Sequence, residues 1–207
     1  MRASRRRYLG IVLCSAGALI VTLAAAAVGG VAPFAVAVGM SLVLGFGWSA
    51  AVGIRARYRH NVIILSSGIL AALLSWLPPD MRLTWLPAVV AMALIAIFLA
   101  ELVRGEGAER RLESTISSTA AVLSAVSASG WVALSHYLHS LGDTPVVVVI
   151  VPGALTFAVI SVVGARLLAA SPARSPKRGV LSLGVLPVAL LGPCALFASQ
   201  LAGLMVI

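Results

Sequence analysis

Residues 113–143 read ESTISSTAAVLSAVSASGWVALSHYLHSLGD, and this stretch decides how the chain folds. Drawn as a helix at about 100° per residue, its small and hydroxyl-bearing residues gather within an arc of roughly 140°. We call the serines of this arc the serine stripe: Ser114, Ser117, Ser118, Ser124, Ser129 and Ser135. The opposite face carries Ile116, Leu123, Leu134 and Leu138. In a bilayer the apolar face is predicted to meet lipid, and the stripe to meet protein or a water-filled cavity.

The composition indicates an integral membrane protein. Of 207 residues, 61% are hydrophobic and 10% are charged, whereas a soluble domain carries about 25% charge. The formal net charge of +9 does not indicate nucleic-acid binding, because the basic residues stand in short runs between apolar stretches, as membrane topology requires.

The apolar segments predict an all-α, polytopic bundle that forms a single transmembrane domain over residues 1–207. A span needs about 20 apolar residues, and breaks such as Gly29-Gly30 and Pro78-Pro79-Asp80 separate the segments. Arg55, Arg57, Arg59 and His60 are predicted to form a basic loop, with Asn61 capping the third helix. Seven helices are predicted, at approximately 8–28, 31–54, 62–77, 83–102, 114–139, 145–168 and 180–206.

Basic residues predict the orientation. Alternating crossings place all of the 15 lysines and arginines except Arg82 on one side, so the N-terminus is predicted to be cytoplasmic and the C-terminus outside. The Ala- and Arg-rich, Lys-poor usage suggests a bacterium, and hence its cytoplasmic membrane. The basic loops are expected to attract anionic lipid headgroups.

The second predicted helix carries small residues at every fourth position. They are Ala37, Ser41, Gly45, Ser49 and Gly53. Such a ridge lets another helix approach closely, so it predicts a helix–helix seam.

The search for catalytic motifs is negative. There is no HExxH, GxSxG, Walker loop or intramembrane carboxylate pair, and no cofactor is expected. His136, His139 and Asp143 could hold a metal in principle, but two histidines on one turn are too few ligands for a stable site.

Two polar features have more than one interpretation. Glu101, Arg104 and Glu113 lie close to the predicted cytoplasmic boundary, where ion pairing in water explains them; the alternative is a polar gate. The serine stripe suits interhelical packing, or else the lining of a permeation path to which Pro152 and Pro193 would add freed backbone carbonyls.

Three classes of function follow. The first is a small permease or transporter component that uses the stripe and the proline-interrupted helices as its path. The second is a structural or accessory subunit that docks on a membrane-protein partner or on another copy of itself. The third, an intramembrane lipid-modifying enzyme, would need a metal or an acid–base pair that the sequence does not display.

Overall fold

A computed structural model describes residues 2–52, 57–77, 83–105, 111–140, 164 and 177–206. Over these ranges the chain is helical, and no strand occurs among them. The helices are α1 (Arg2–Val28), α2 (Ala32–Val52), α3 (Arg57–Leu74), α4 (Leu86–Val103), α5 (Arg111–Ser127), α6 (Ser129–Ser140) and α7 (Lys177–Val206). The predicted helix at 145–168 lies outside the described residues, except for Gly164.

Within the described ranges, five helical segments are long and apolar enough to cross a membrane. They are Leu9–Val28, Ala32–Val52, Leu86–Val103, Arg111–Ser140 and Gly179–Leu201, while Tyr58–Leu74 is a shorter apolar helix. The prediction of an all-helical chain with membrane-compatible apolar helices is therefore confirmed.

Helix α3 begins earlier than predicted. The sequence predicts a basic loop followed by an Asn61 cap, but α3 already starts at Arg57, so His60 and Asn61 lie inside the helix. Arginine is a good helix former, and no proline or glycine interrupts residues 57–61. The basic residues therefore extend the first turn instead of preceding it.

The fifth predicted helix is broken at Ala128. The amide of Trp131 donates to the Ala128 carbonyl at 3.2 Å, an i to i+3 hydrogen bond that tightens the turn between α5 and α6. The prediction that Leu134 and Leu138 face lipid is wrong, because both are only 5% exposed. Ile116 and Leu123, before the break, are exposed as expected. Ser129 and Ser135, also beyond the break, are buried as predicted, so the leucines are buried because α6 is enclosed by α1, α2 and α7.

The core lies between α2, α5, α6 and α7. Helix α7 packs against α1, α2, α5 and α6, and every residue from Ser129 to Ser135 is buried. Helix α4 is peripheral and packs on α3 and α5, with Met92, Phe98 and Leu102 exposed on its outer side. Large apolar side chains on the outside and small or polar ones inside are the arrangement expected of helices in lipid.

Candidate functional site

The inner face of α4 ends in a buried carboxylate. Val89, Ala93, Ile97 and Glu101 follow one another at four-residue spacing, and all four are buried. Glu101 is 2% exposed. The sequence places this residue near hydrated boundary groups, but the packing of α4 against α3 and α5 removes it from the surface.

Three side chains from three helices meet the Glu101 carboxylate. Arg104, at the end of α4, donates from Nη1 to Oε1 and Oε2 at 2.9 and 2.8 Å. Ser114 of α5 donates to Oε1 at 2.7 Å. His60 of α3 places Nε2 at 2.9 Å from the same oxygen. We call these four residues the Glu101 cluster.

His60 is the member that the sequence analysis missed. It is 1% exposed, whereas the prediction placed it in a basic loop. A signal was present, because His60, Ile64, Ala71 and Ser75 recur at helical spacing and all four are buried. Because His60 directly follows Arg55, Arg57 and Arg59, the sequence assigns it to their basic loop and not to the buried face of the helix.

The state of the His60 ring follows from its neighbours. The ring is not aligned for a linear hydrogen bond to Glu101, so the 2.9 Å contact of Nε2 with Oε1 is electrostatic. At this distance from a carboxylate oxygen a protonated Nε2 is attracted and an unprotonated Nε2 is repelled, so the contact favours the neutral ring that carries its proton on Nε2. Nδ1 is then an acceptor, and it has no hydrogen-bond partner within the described ranges.

The predicted gate residues are only partly brought together. Glu101 and Arg104 form an ion pair, and the Arg104 side chain is 17% exposed. Glu113 is exposed on the first turn of α5, and the neighbouring Ser114 points inward to the carboxylate instead.

The serine stripe is largely buried. Ser114, Ser118, Ser124, Ser129 and Ser135 are at most 4% exposed, and Ser117 is half-buried. Three of its six hydroxyls bond nearby backbone carbonyls: Ser117 to Ser114 O and Ser124 to Ala120 O within α5, and Ser129 to Val126 O across the break.

Besides Ser114, which donates to Glu101, two stripe residues differ from this pattern. Ser135 donates to the Ala26 carbonyl of α1 at 2.9 Å, so its hydroxyl joins two helices. The Ser118 hydroxyl, one turn above Ser114, is fully buried and has no hydrogen-bond partner in the described part of the chain.

The small residues of α2 lie on its inner side. Ala37, Ser41, Gly45 and Ser49 are all buried, while Gly53 lies outside the described residues. A Cβ added at Gly45 would stand 3.2 Å from the Leu65 Cβ of α3. Further along, a Cβ added at Gly68 would clash with Ser41 and stand 3.0 Å from the Ala125 Cβ. Helix α3 thus runs close to both α2 and the stripe.

The α5–α6 break lies directly against α7. A Cβ added at Gly130 would clash with the backbone of Gly192 and Pro193. Beside this contact, Trp131 Nε1 donates to the Val188 carbonyl at 2.9 Å. Pro193 is therefore part of a close backbone contact between helices. Pro152, which the sequence grouped with it, lies outside the described residues.

The two candidate metal-binding histidines have different surroundings. The His136 ring lies edge-on to Trp76, with centroids 6.2 Å apart. His139 Nδ1 is 2.7 Å from the Ser135 carbonyl, and the rest of its ring lies against Gly29. Asp143 lies outside the described residues, and within them no group of three or more His, Cys, Asp or Glu could hold a metal ion.

Comparisons with known protein families, with curated proteins and with solved structures found no match. Any function for this chain must therefore be argued from its own geometry.

Proposed function

We propose that this protein is a small permease or transporter component of a bacterial cytoplasmic membrane. In this proposal the chain crosses the bilayer seven times, with the N-terminus in the cytoplasm and the C-terminus outside. The basic loops support this orientation through the positive-inside rule, and they would contact anionic headgroups.

The observation that carries the proposal is the burial of Glu101. An ionisable residue within a spanning helix is costly, faces the bundle interior, and typically marks an ion or substrate pathway. Glu101 is the last residue of the buried face of α4, while Met92, Phe98 and Leu102 are exposed on the outer side of the same helix. Its partners come from α3 and α5 as well as α4. A simple boundary ion pair would not need to be enclosed by three helices.

The serine stripe continues from the Glu101 cluster into the bundle. Ser114 contacts the carboxylate, and Ser118 lies one turn further along the same face with an unused hydroxyl. Ser124 and Ser129 follow deeper in the core. In the proposal this face lines the path when the bundle opens, and the structure corresponds to a state in which the stripe is packed.

A second candidate is a non-catalytic accessory subunit. It is favoured by the local hydrogen bonds of the stripe, because serines that bond the backbone of their own helix, as Ser117 and Ser124 do, can serve close packing alone. On this hypothesis the Glu101 cluster holds α3, α4 and α5 together and has no transport role.

Thiol accessibility separates the two candidates. Cys14 and Cys194 are free thiols, so both are replaced first. Single cysteines are then introduced at Ser118 and Ser124, with Ile116, which is 61% exposed on the outer side of α5, as the lipid-facing control. Charged, membrane-impermeant reagents are applied from each side of the membrane.

Labelling of Ser118→Cys and Ser124→Cys but not Ile116→Cys would show that water reaches the stripe, as a permease requires. Protection of both stripe positions under all conditions would contradict the permease proposal and favour the accessory subunit. For the topology, a tag after Ile207 should be reachable from outside intact cells, while a tag in the 171–176 segment should be protected.

A further inference from the structure

The Glu101 cluster contains a group that can accept a proton. His60 is buried between α3, α4 and α5, and its Nε2 faces the carboxylate at 2.9 Å. Its Nδ1 is buried and has no hydrogen-bond partner among the residues that the structure describes. An unpaired nitrogen at this depth is costly in a purely structural histidine, since buried polar atoms are normally bonded.

We propose that His60 is a proton-binding site and that the proton is the coupling ion of the permease. The inference rests on the proposed function, and it identifies the ion that the site would take. A proton adds to the lone pair of Nδ1, while Nε2 keeps its own proton. The neutral imidazole becomes imidazolium, and deprotonation of Nδ1 restores the starting state. No other bond forms or breaks.

The charges around His60 fit this chemistry. Burial of the ring disfavours the imidazolium, and the negative charge of Glu101 at contact distance acts in the opposite direction and favours it. Arg104 forms an ion pair with the same carboxylate, and its positive charge disfavours protonation of His60. Glu101 therefore contacts one permanent cation, Arg104, and one side chain that becomes a cation when it is protonated, His60. Ser114 contributes a neutral hydroxyl from α5.

The charged residues of α5 are Arg111 and Glu113, both on its first turn, and Glu113 is exposed. Among the described residues, the remaining helices that pack on α3 add no charge beside His60. Helix α2 has no ionisable residue. The ionisable residues of α6, namely His136, Tyr137 and His139, belong to the opposite end of the bundle, since His136 lies against Trp76, beyond the C-terminus of α3. On α3 itself, Tyr58 and Arg59 are exposed.

A protonation switch at this place would change the packing of three helices. With neutral His60, Arg104 and Ser114 hold the carboxylate; with imidazolium, the Glu101 contact strengthens and the Arg104 contact is relieved. The shared carboxylate thereby links protonation to the contact between α4 and α5, next to the start of the serine stripe.

The test is nitrogen NMR of the full chain, labelled with ¹⁵N-histidine and held in lipid nanodiscs. The chain has three histidines, and the His60 signals are assigned by their loss in His60→Gln. If that variant does not fold, His136→Gln and His139→Gln assign them by elimination. Between about pH 9 and about pH 4, the His60 pattern should change from the Nε2-protonated ring to imidazolium, with the midpoint on the acidic side because the ring is buried.

Two variants test the role of the carboxylate. Glu101→Gln should lower the midpoint of the His60 titration by about one pH unit or more, because an opposite charge within about 4–6 Å favours the charged ring. Glu113→Gln, at an exposed acid beside Ser114, is the matched control and should move the midpoint by no more than about 0.3 unit, since exposed charges are screened.

A His60 pattern that stays unchanged over this pH range would overturn the inference, as would equal shifts in Glu101→Gln and Glu113→Gln. The outcome is distinguishable from failure of the permease proposal itself. If the stripe cysteines are labelled but His60 does not titrate, only the choice of the proton as coupling ion is overturned. If the stripe cysteines are fully protected but His60 titrates, the permease proposal is contradicted and the proton-binding site is retained.

Discussion

The Ser114 hydroxyl of α5 donates a 2.7 Å hydrogen bond to Oε1 of Glu101 on α4. This bond joins a peripheral helix to the segment Arg111–Ser140, the most buried of the five membrane-compatible segments in the described part of the chain. It also places the first residue of the serine stripe in direct contact with the buried carboxylate.

Replacing Ser114 by alanine should lower the free energy of unfolding by about 1.5–3 kcal/mol, because hydrogen bonds to charged groups are among the stronger ones. The measurement is unfolding in mixed micelles by detergent titration. Ser117→Ala is the matched control, since its hydroxyl bonds only the Ser114 carbonyl of its own helix. Equal losses of unfolding free energy in the two variants would mean that the bond to Glu101 stabilises the protein no more than a local serine–backbone bond does.

Gly130→Ala should prevent normal assembly of the bundle. The added methyl group meets the backbone of Gly192 and Pro193, which cannot rotate away as a side chain could. We expect at least about 1–3 kcal/mol of destabilisation, the usual range for overpacking, and a loss of monodisperse protein in size-exclusion chromatography. Gly17→Ala, where an added Cβ meets nothing within 4 Å, should behave as wild type; a normal Gly130→Ala profile would show that α6 and α7 are further apart.

Ser124→Leu and Leu123→Ala test the two faces of α5. Ser124 is fully buried while the adjacent Leu123 is 41% exposed. A leucine at position 124 overpacks the core by about 1–3 kcal/mol, whereas an alanine at position 123 removes only lipid-facing surface and should be nearly silent. Thermal denaturation of the purified protein compares the pair, and similar midpoints would contradict the inward orientation of the stripe.

Trp131→Phe should destabilise the α6–α7 contact. The variant keeps an aromatic ring but removes the Nε1 donor, which leaves the buried Val188 carbonyl without this bond. The expected loss is about 1 kcal/mol, the net value of one neutral hydrogen bond. Trp85→Phe, at a position that is 54% exposed, is the control. Unfolding of both variants is measured through the fluorescence of their three remaining tryptophans. A larger effect at Trp85 would mean that the Trp131 bond does not stabilise the contact.

The sequence predicts the inward face of α5 and the presence of polar residues near the end of α4, but not the contacts between them. Helical spacing correctly orients Ser124 inward and Leu123 outward, because both precede the break at Ala128. It does not predict the burial of Leu134 and Leu138, because α6 is enclosed by α1, α2 and α7 and residues 129–135 are all buried.

The sequence by itself determined the class of this protein. Long apolar segments with few charges can satisfy their backbone groups in lipid only as helices, so composition and segment length are sufficient evidence. The small-residue spacing of α2 likewise follows from the requirement that helices approach closely.

Only the tertiary structure decided which polar groups meet. Glu101, His60 and Ser114 are separated by 13 to 54 positions in the sequence, and no local pattern links them. Their contact depends on how α3, α4 and α5 pack, and that packing also sets the burial of the carboxylate. The proposed proton site depends on the burial of His60 and Glu101 and on the contact between them, which residue type alone does not reveal.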